Sequence, residues 1–164
     1  MARQSAADMT TERVLSFPLP FEDETAFSLV SRFFVLHAPE KGSSKAILRV
    51  LFGAPGMILR TGLPGRLERL AETFPEGYPL DAANLIERHT TFPYFRPFLS
   101  EERQAGIEEA MRSTDARGIK ATLGMLASGS GAREPLRCWP ACAKEDMALR
   151  GQPYWRRTHQ LAGT

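Results

Sequence analysis

Proline and glycine cut this chain into pieces, and the pieces suit short helices. Pro18 and Pro20 keep the opening stretch extended, because the residue before a proline avoids the helical region. Pro39 and Gly42 end the next segment, Gly53-Ala-Pro-Gly56 marks a turn, and Pro75, Gly77 and Pro79 break the chain again. Between these breaks apolar residues recur at helical spacing. The acidic run Glu22–Glu24 sits where a helix N-terminus favours negative charge, and the helix after it is predicted to bury Phe27, Val30, Phe33, Phe34 and His37. A second helix is predicted over Lys45–Phe52, capped by Ser43 or Ser44, with Ile47, Leu48, Leu51 and Phe52 as its stripe. A third, Gly65–Phe74, takes Pro64 in its first turn and carries Leu67, Leu70, Ala71 and Phe74. A fourth runs from an Asp81 cap to about His89, with Leu85 and Ile86 inward. Ser100 and Glu101 open another, with Ile107, Ala110 and Met111 inward, and Asp115–Leu126 forms one more.

The fold class is therefore mainly α, with no convincing strand outside the last segment. Residues 1–16 are small and polar and read as disordered; residues 17–127 form the helical body. The Gly/Ser stretch 128–132 is a linker, and residues 133–164 form a small Cys-containing module. The second and third helices, with the turn between them, are candidates for a helix-turn-helix, though a Gly/Pro-rich turn of that length supports two packed helices better.

Apolar residues at 43% and charged residues at 24% are ordinary globular values. No run approaches the roughly 18 apolar residues of a membrane span, and the N-terminus lacks an apolar signal core, which points to the cytoplasm. The net charge is +2, and the residues from Arg133 onward carry six cations against three acids, which leaves the preceding residues at −1. A modestly basic module on a neutral body permits phosphate contacts without demanding them.

The segment His89-Thr-Thr-Phe-Pro-Tyr-Phe-Arg-Pro-Phe-Leu99 concentrates Phe92, Tyr94, Phe95 and Phe98, and Pro93 and Pro97 hold the backbone stiff between them. It reads as an ordered strap packed across the core, since each ring buries a large area at low entropic cost. A base-stacking surface would interleave more cations than Arg96 alone.

Cys138-Trp-Pro-Ala-Cys142 reads as half of a zinc knuckle, because a structural zinc normally takes four converging thiolates or imidazoles. Tyr154-Trp155-Arg156-Arg157 sets rings beside guanidinia, which suits a phosphate backbone or guide-RNA complex. Equally, Trp155 could fill the module's core while the arginines stand exposed.

Three stretches together resemble the TniQ family, the target-selection proteins of transposons that move with an AAA+ regulator and a DDE transposase. They are Phe17–Arg32 with its proline pair, Glu-Thr and Ser-x-x-x-Arg; His89–Leu99; and Arg137-Cys-Trp-Pro-Ala-Cys-Ala-Lys-Glu-Asp146 followed by Gly151-x-x-Tyr-Trp-Arg-Arg-x-His-Gln-Leu161. In the family pattern the first zinc half is Cys-Pro-x-Cys and the second a Cys-x-x-His beyond His-Gln-Leu. Here Trp139 stands where the first cysteine belongs, Cys138 is one position early, Cys142 matches, and the second pair would fall after Thr164. Four readings follow for the cysteines: a zinc site lying half outside this chain, a module that has lost its metal, a site of Cys138, Cys142 and His159 completed by water or a partner, and a redox pair. The last is disfavoured because a redox pair normally occupies a helix start. His159, an isolated histidine, reads as packing against Trp155 rather than as a ligand.

The resemblance implies an adaptor that binds target DNA or a DNA-bound guide-RNA effector complex and recruits the AAA+ regulator. Arg156, Arg157 and Lys144 are the expected contacts, and self-association is left open. No nucleophile elbow, phosphate loop, metalloprotease helix or paired carboxylate points to catalysis. The competing reading is a folded structural remnant of a transposon gene, without metal or ATPase partner.

Overall fold

The computed structural model of the chain describes residues 13–37, 43–113 and 136–161. Where an apolar stripe coincides with a cap, the helix forms as the sequence indicates. The Asp81 side chain accepts the Asn84 N–H at 2.7 Å and opens a helix that ends at His89, with Leu85 and Ile86 buried. Numbering the described helices in order gives α1 (Ala26–His37), α2 (Ser43–Phe52), α3 (Leu67–Glu72), α4 (Ala82–His89), α5 (Phe92–Phe95), α6 (Glu101–Ser113) and α7 (Pro140–Arg150). Short 3-10 turns follow at Arg96–Phe98 and Thr158–Gln160. The predicted helix Asp115–Leu126, the linker 128–132 and residues 1–12 of the N-terminal segment lie outside the described residues. Val14, near the end of that segment, is tied to the body by its N–H, which donates to the Thr73 carbonyl at 2.8 Å.

The core joins Phe17, Leu29, Val30 and Phe33 to Leu51, Phe52, Leu67, Leu70 and Phe74, and then to Leu85, Ile86, Phe92, Ile107 and Met111. α3 is the hub, packing on α2, α4 and α6. It is shorter than the spacing suggested. Arg66 takes the left-handed conformation (φ 58°) immediately before it, so Pro64 lies ahead of the helix rather than in its first turn. α2 and α3 do pack together, but residues 53–66 separate them, far more than the three or four of a helix-turn-helix.

Two faces differ from expectation. On α1 the buried positions are Ala26, Ser28, Leu29, Val30 and Phe33, while Phe27 and Phe34 are half-buried and His37 is exposed. The register is set by Ser28, a polar residue drawn inside by partners described below. The aromatic strap packs only in part. Phe92 is fully buried, but Tyr94 is 44% and Phe98 80% exposed. Pro93 and Pro97 occupy first-turn positions of α5 and the 3-10 turn, where the missing N–H costs nothing, so the segment coils and turns rings outward.

Candidate functional site

The residues Asp23-Glu24-Thr25, ahead of α1, form the centre of the molecule's polar architecture. Thr25 caps α1, its hydroxyl oxygen accepting the Ser28 N–H at 3.1 Å. That cap turns Glu24 inward, where it is fully buried. Its Oε2 accepts the Phe21 N–H at 2.9 Å and Arg32 Nη1 at 2.7 Å, and its Oε1 accepts the Ser28 hydroxyl at 2.8 Å. Glu24, Ser28 and Arg32 fall at helical spacing on one face, so a single turn-by-turn stripe builds the cluster. Burial pushes the Glu24 carboxyl above its ordinary range, and the Phe21 N–H, the Ser28 hydroxyl and Arg32 pull it back.

The end of the described chain docks onto this cluster. The Thr25 N–H donates to the Trp155 carbonyl at 2.9 Å and the Arg157 N–H to the Asp23 carbonyl at 2.6 Å, an isolated antiparallel bridge centred on Glu24 and Arg156. The Trp155 N–H donates to Ser28 Oγ at 3.0 Å, so that one hydroxyl serves Glu24 as donor and Trp155 as acceptor. The Thr158 hydroxyl donates to Asp23 Oδ2. Asp23 takes the left-handed conformation (φ 58°), which an aspartate tolerates better than most residues and which aims its carboxylate at Arg157 and Thr158. His89, buried at the end of α4, sets its Nδ1 2.6 Å from the Glu24 carbonyl oxygen, so Nδ1 carries the proton and donates. Burial holds the His89 imidazole below the ordinary histidine range.

Phe17–Arg32, His89 and Tyr154–Thr158 thus meet in one clasp. Guanidinia and rings fasten its rim. Arg32 lies 3.9 Å and Arg150 4.8 Å from the Phe21 ring centroid, and the Tyr154 ring packs 5.0 Å from Phe21. Gln160 completes it, donating to the Arg137 carbonyl at 2.9 Å and accepting the Arg137 N–H at 3.1 Å.

The expected contact residues are placed as follows. Arg156 pairs with Asp146, the one buried residue of α7, and lies 5.0 Å from the Tyr154 ring. The hydrogen bond to Asp146 raises the Arg156 guanidinium above its ordinary value. Arg157 donates to the Glu87 carbonyl at 2.8 Å and pairs with Asp23 at 3.4 Å. Both side chains remain about 30% exposed. Lys144 is exposed on α7 and makes no ion pair among the described residues. A cavity of about 170 Å³ borders Arg157, lined also by Thr90, Thr91, Tyr94 and Thr158. Their threonine hydroxyl protons go to Ile86, Gly62 and Asp23, so these groups face the cavity as acceptors and do not form an anion cradle.

Cys138 is exposed, two residues ahead of α7, and Cys142 is half-buried in its first turn behind Pro140. The pair therefore straddles a helix start, contrary to the sequence expectation. His159 faces Trp139, 5.9 Å between ring centroids, rather than Trp155, and burial with the nearby Arg156 lowers it. Among the described residues no three His, Cys, Asp or Glu side chains converge as metal ligands. The two thiols are the right donors for zinc but supply half of a four-ligand site; the described part of the last segment, expected as a partial zinc-finger-like module, consists of α7 and a tail docked on the clasp.

Sequence reasoning missed Glu24, Ser28, Asp23 and Asp146. The Glu24–Ser28–Arg32 spacing was a readable signal; the long-range partners of Arg156 and Arg157 were not.

The class this defines is a mainly helical body onto which residues 154–158 dock, with the cysteine-bearing helix α7 tied to that segment through Asp146 and Arg156. The chain belongs to the TniQ family, whose family model matches residues 15–164. It is similar to the transposon Tn7 transposition protein TnsD of Escherichia coli, with 28% identity over 146 residues, 89% of this chain. The chain spans 28% of that protein's length. No helix among the described residues is long and apolar enough to cross a membrane.

Proposed function

We propose that this chain serves transposition as a target-selection adaptor, binding target DNA or a DNA-bound guide-RNA effector complex and presenting it to an AAA+ regulator. The observation that carries the reading is the match to TnsD along 89% of the chain, together with family membership over residues 15–164. The role is affinity and positioning, with bond-making left to other subunits. Phosphate contacts fall first to Lys144, exposed on α7, whereas Arg156 and Arg157 are anchored within the clasp and reach a partner only through their open edges. Zinc would engage Cys138 and Cys142 and stiffen the start of α7.

Binding of the chain to duplex target DNA, followed by fluorescence anisotropy across a salt series, tests the reading. A steep fall of affinity with salt is expected, with Lys144→Glu reducing the slope by about one phosphate contact. Salt-insensitive binding would sink the DNA reading. Charge reversal at Arg156 and Arg157 is informative only beside a thermal melt, since it also opens the clasp.

A further inference from the structure

A groove of about 410 Å³ lies between the extended strip before Phe17 and the ends of α1 and α2, on a part of the surface that the clasp does not use. Arg13, Val14, Leu15, Phe33, His37 and Val50 line it. Its floor is rigid. Phe33 is held between the Phe17 ring, 4.6 Å away, and the His37 ring, 4.1 Å away, and the strip is pinned by the Val14 bond to Thr73. Its edges are apolar and open: Leu15 is fully exposed and Val50 is 41% exposed. A single exposed leucine is ordinary, but an open apolar rim over a pre-formed floor marks a docking surface.

The charge around it selects the occupant. Among the described residues the lining contains Arg13 and no carboxylate, and α2 presents Lys45 and Arg49 to solvent with no acidic residue in its sequence. A second copy docking symmetrically would set these cations against themselves, since an isologous contact opposes a patch to its own image. Addition of an extended strand is also disfavoured, because the Val14 N–H of the strip is already spent on Thr73.

We infer that this groove docks an acidic amphipathic helix of a partner protein, its apolar side chains entering between Leu15 and Val50 and its carboxylates meeting Arg13, Lys45 and Arg49. The helix-in-groove mode needs an apolar trough flanked by charge: Leu15, Phe33 and Val50 line the trough with Arg13, and Lys45 and Arg49 stand exposed on the helix that carries Val50. The surface is separate from Lys144, Arg156 and Arg157, so the inference stands or falls independently of the DNA contacts.

The test titrates the whole chain with two labelled synthetic helices of identical leucine pattern, one with glutamate and one with lysine on the polar face. The glutamate peptide is expected to bind, to shift the amide resonances of Leu15, His37 and Val50, and to weaken by about tenfold or more on combined Leu15→Ser and Val50→Ser. Arg49→Glu is expected to weaken it further, with thermal melts of all variants matching the parent because these side chains are exposed. Equal binding of the lysine peptide would overturn the charge assignment, and no binding of either would overturn the docking surface. A parent chain that dimerises in sedimentation equilibrium, and becomes monomeric on Leu15→Ser with Val50→Ser, would assign the groove to a second copy instead.

Discussion

Replacing Ser28 by alanine removes one oxygen that two ends of the chain share. The Glu24 carboxylate loses one of its three donors, a bond to a charged group and hence worth about 1.5–3 kcal/mol. The Trp155 N–H loses its acceptor, at about 1 kcal/mol for a neutral pair. Alanine recovers about 0.5 kcal/mol through its better helix propensity. The expected net loss is about 2–3.5 kcal/mol. Ser31→Ala is the matched control: it lies on the same helix, but its half-buried hydroxyl donates only to the Phe27 carbonyl. There the helix gain and the lost bond nearly cancel, and a change within about 0.5 kcal/mol is expected. Urea unfolding followed by tryptophan fluorescence measures both variants, and amide exchange at Trp155 and Arg157 reports local opening of the clasp in Ser28→Ala alone. Equal small losses at the two serines would refute the idea that Ser28 joins the C-terminal segment to α1.

Two further outcomes follow from the same geometry. Burial lowers His89 and His159, so below the ordinary histidine pKa the unfolded chain binds more protons than the folded one; stability should fall as pH drops from about 6.5, and His89→Gln should flatten that loss when urea midpoints are compared across pH. A β-carbon at Gly62 would lie 2.8 Å from Thr91 Oγ1, whose hydroxyl and N–H both donate to the Gly62 carbonyl; Gly62→Ala should cost about 1–3 kcal/mol in the same unfolding assay, and Thr91→Ala in the same chain should recover part of it.

Local signals were legible wherever neighbours in sequence decide the structure. Asp81 could be read as a cap because its acceptor meets an N–H three residues on, and Leu85 and Ile86 followed from spacing alone. Ser28 was legible only in part: its spacing from Glu24 and Arg32 marks one face, but hydrophobic periodicity assigns a serine to the surface, and its second partner, Trp155, lies far along the chain. For the same reason α1 turned Leu29 inward in place of Phe27. Arg156 and Arg157 looked like free cations because Asp146, Asp23 and the Glu87 carbonyl become their neighbours only on folding. The prolines of His89–Leu99 were read as stiffening an ordered strap packed across the core, yet a proline in the first turn of a short helix is equally well placed, and Tyr94 and Phe98 turned outward as a result. The cysteine pair was legible as chemistry, but its position across a helix start required knowing that Pro140 begins α7.

The bridge between Glu24 and Arg156 also carries a consequence for the order of events during synthesis. Asp23, Glu24 and Ser28 leave the ribosome early, and the groups that complete them arrive only with Trp155–Thr158, after almost the whole described chain has been made. Helices α1 to α6 can collapse around Leu67, Leu70 and Leu85 in the meantime, since their contacts lie closer in sequence. On that order the clasp is expected to close last, on a body already formed. Weakening it should therefore quicken unfolding while leaving the folding rate nearly unchanged, and a nascent chain halted before Trp155 would present Ser28 and the Asp23 carboxylate without their final partners.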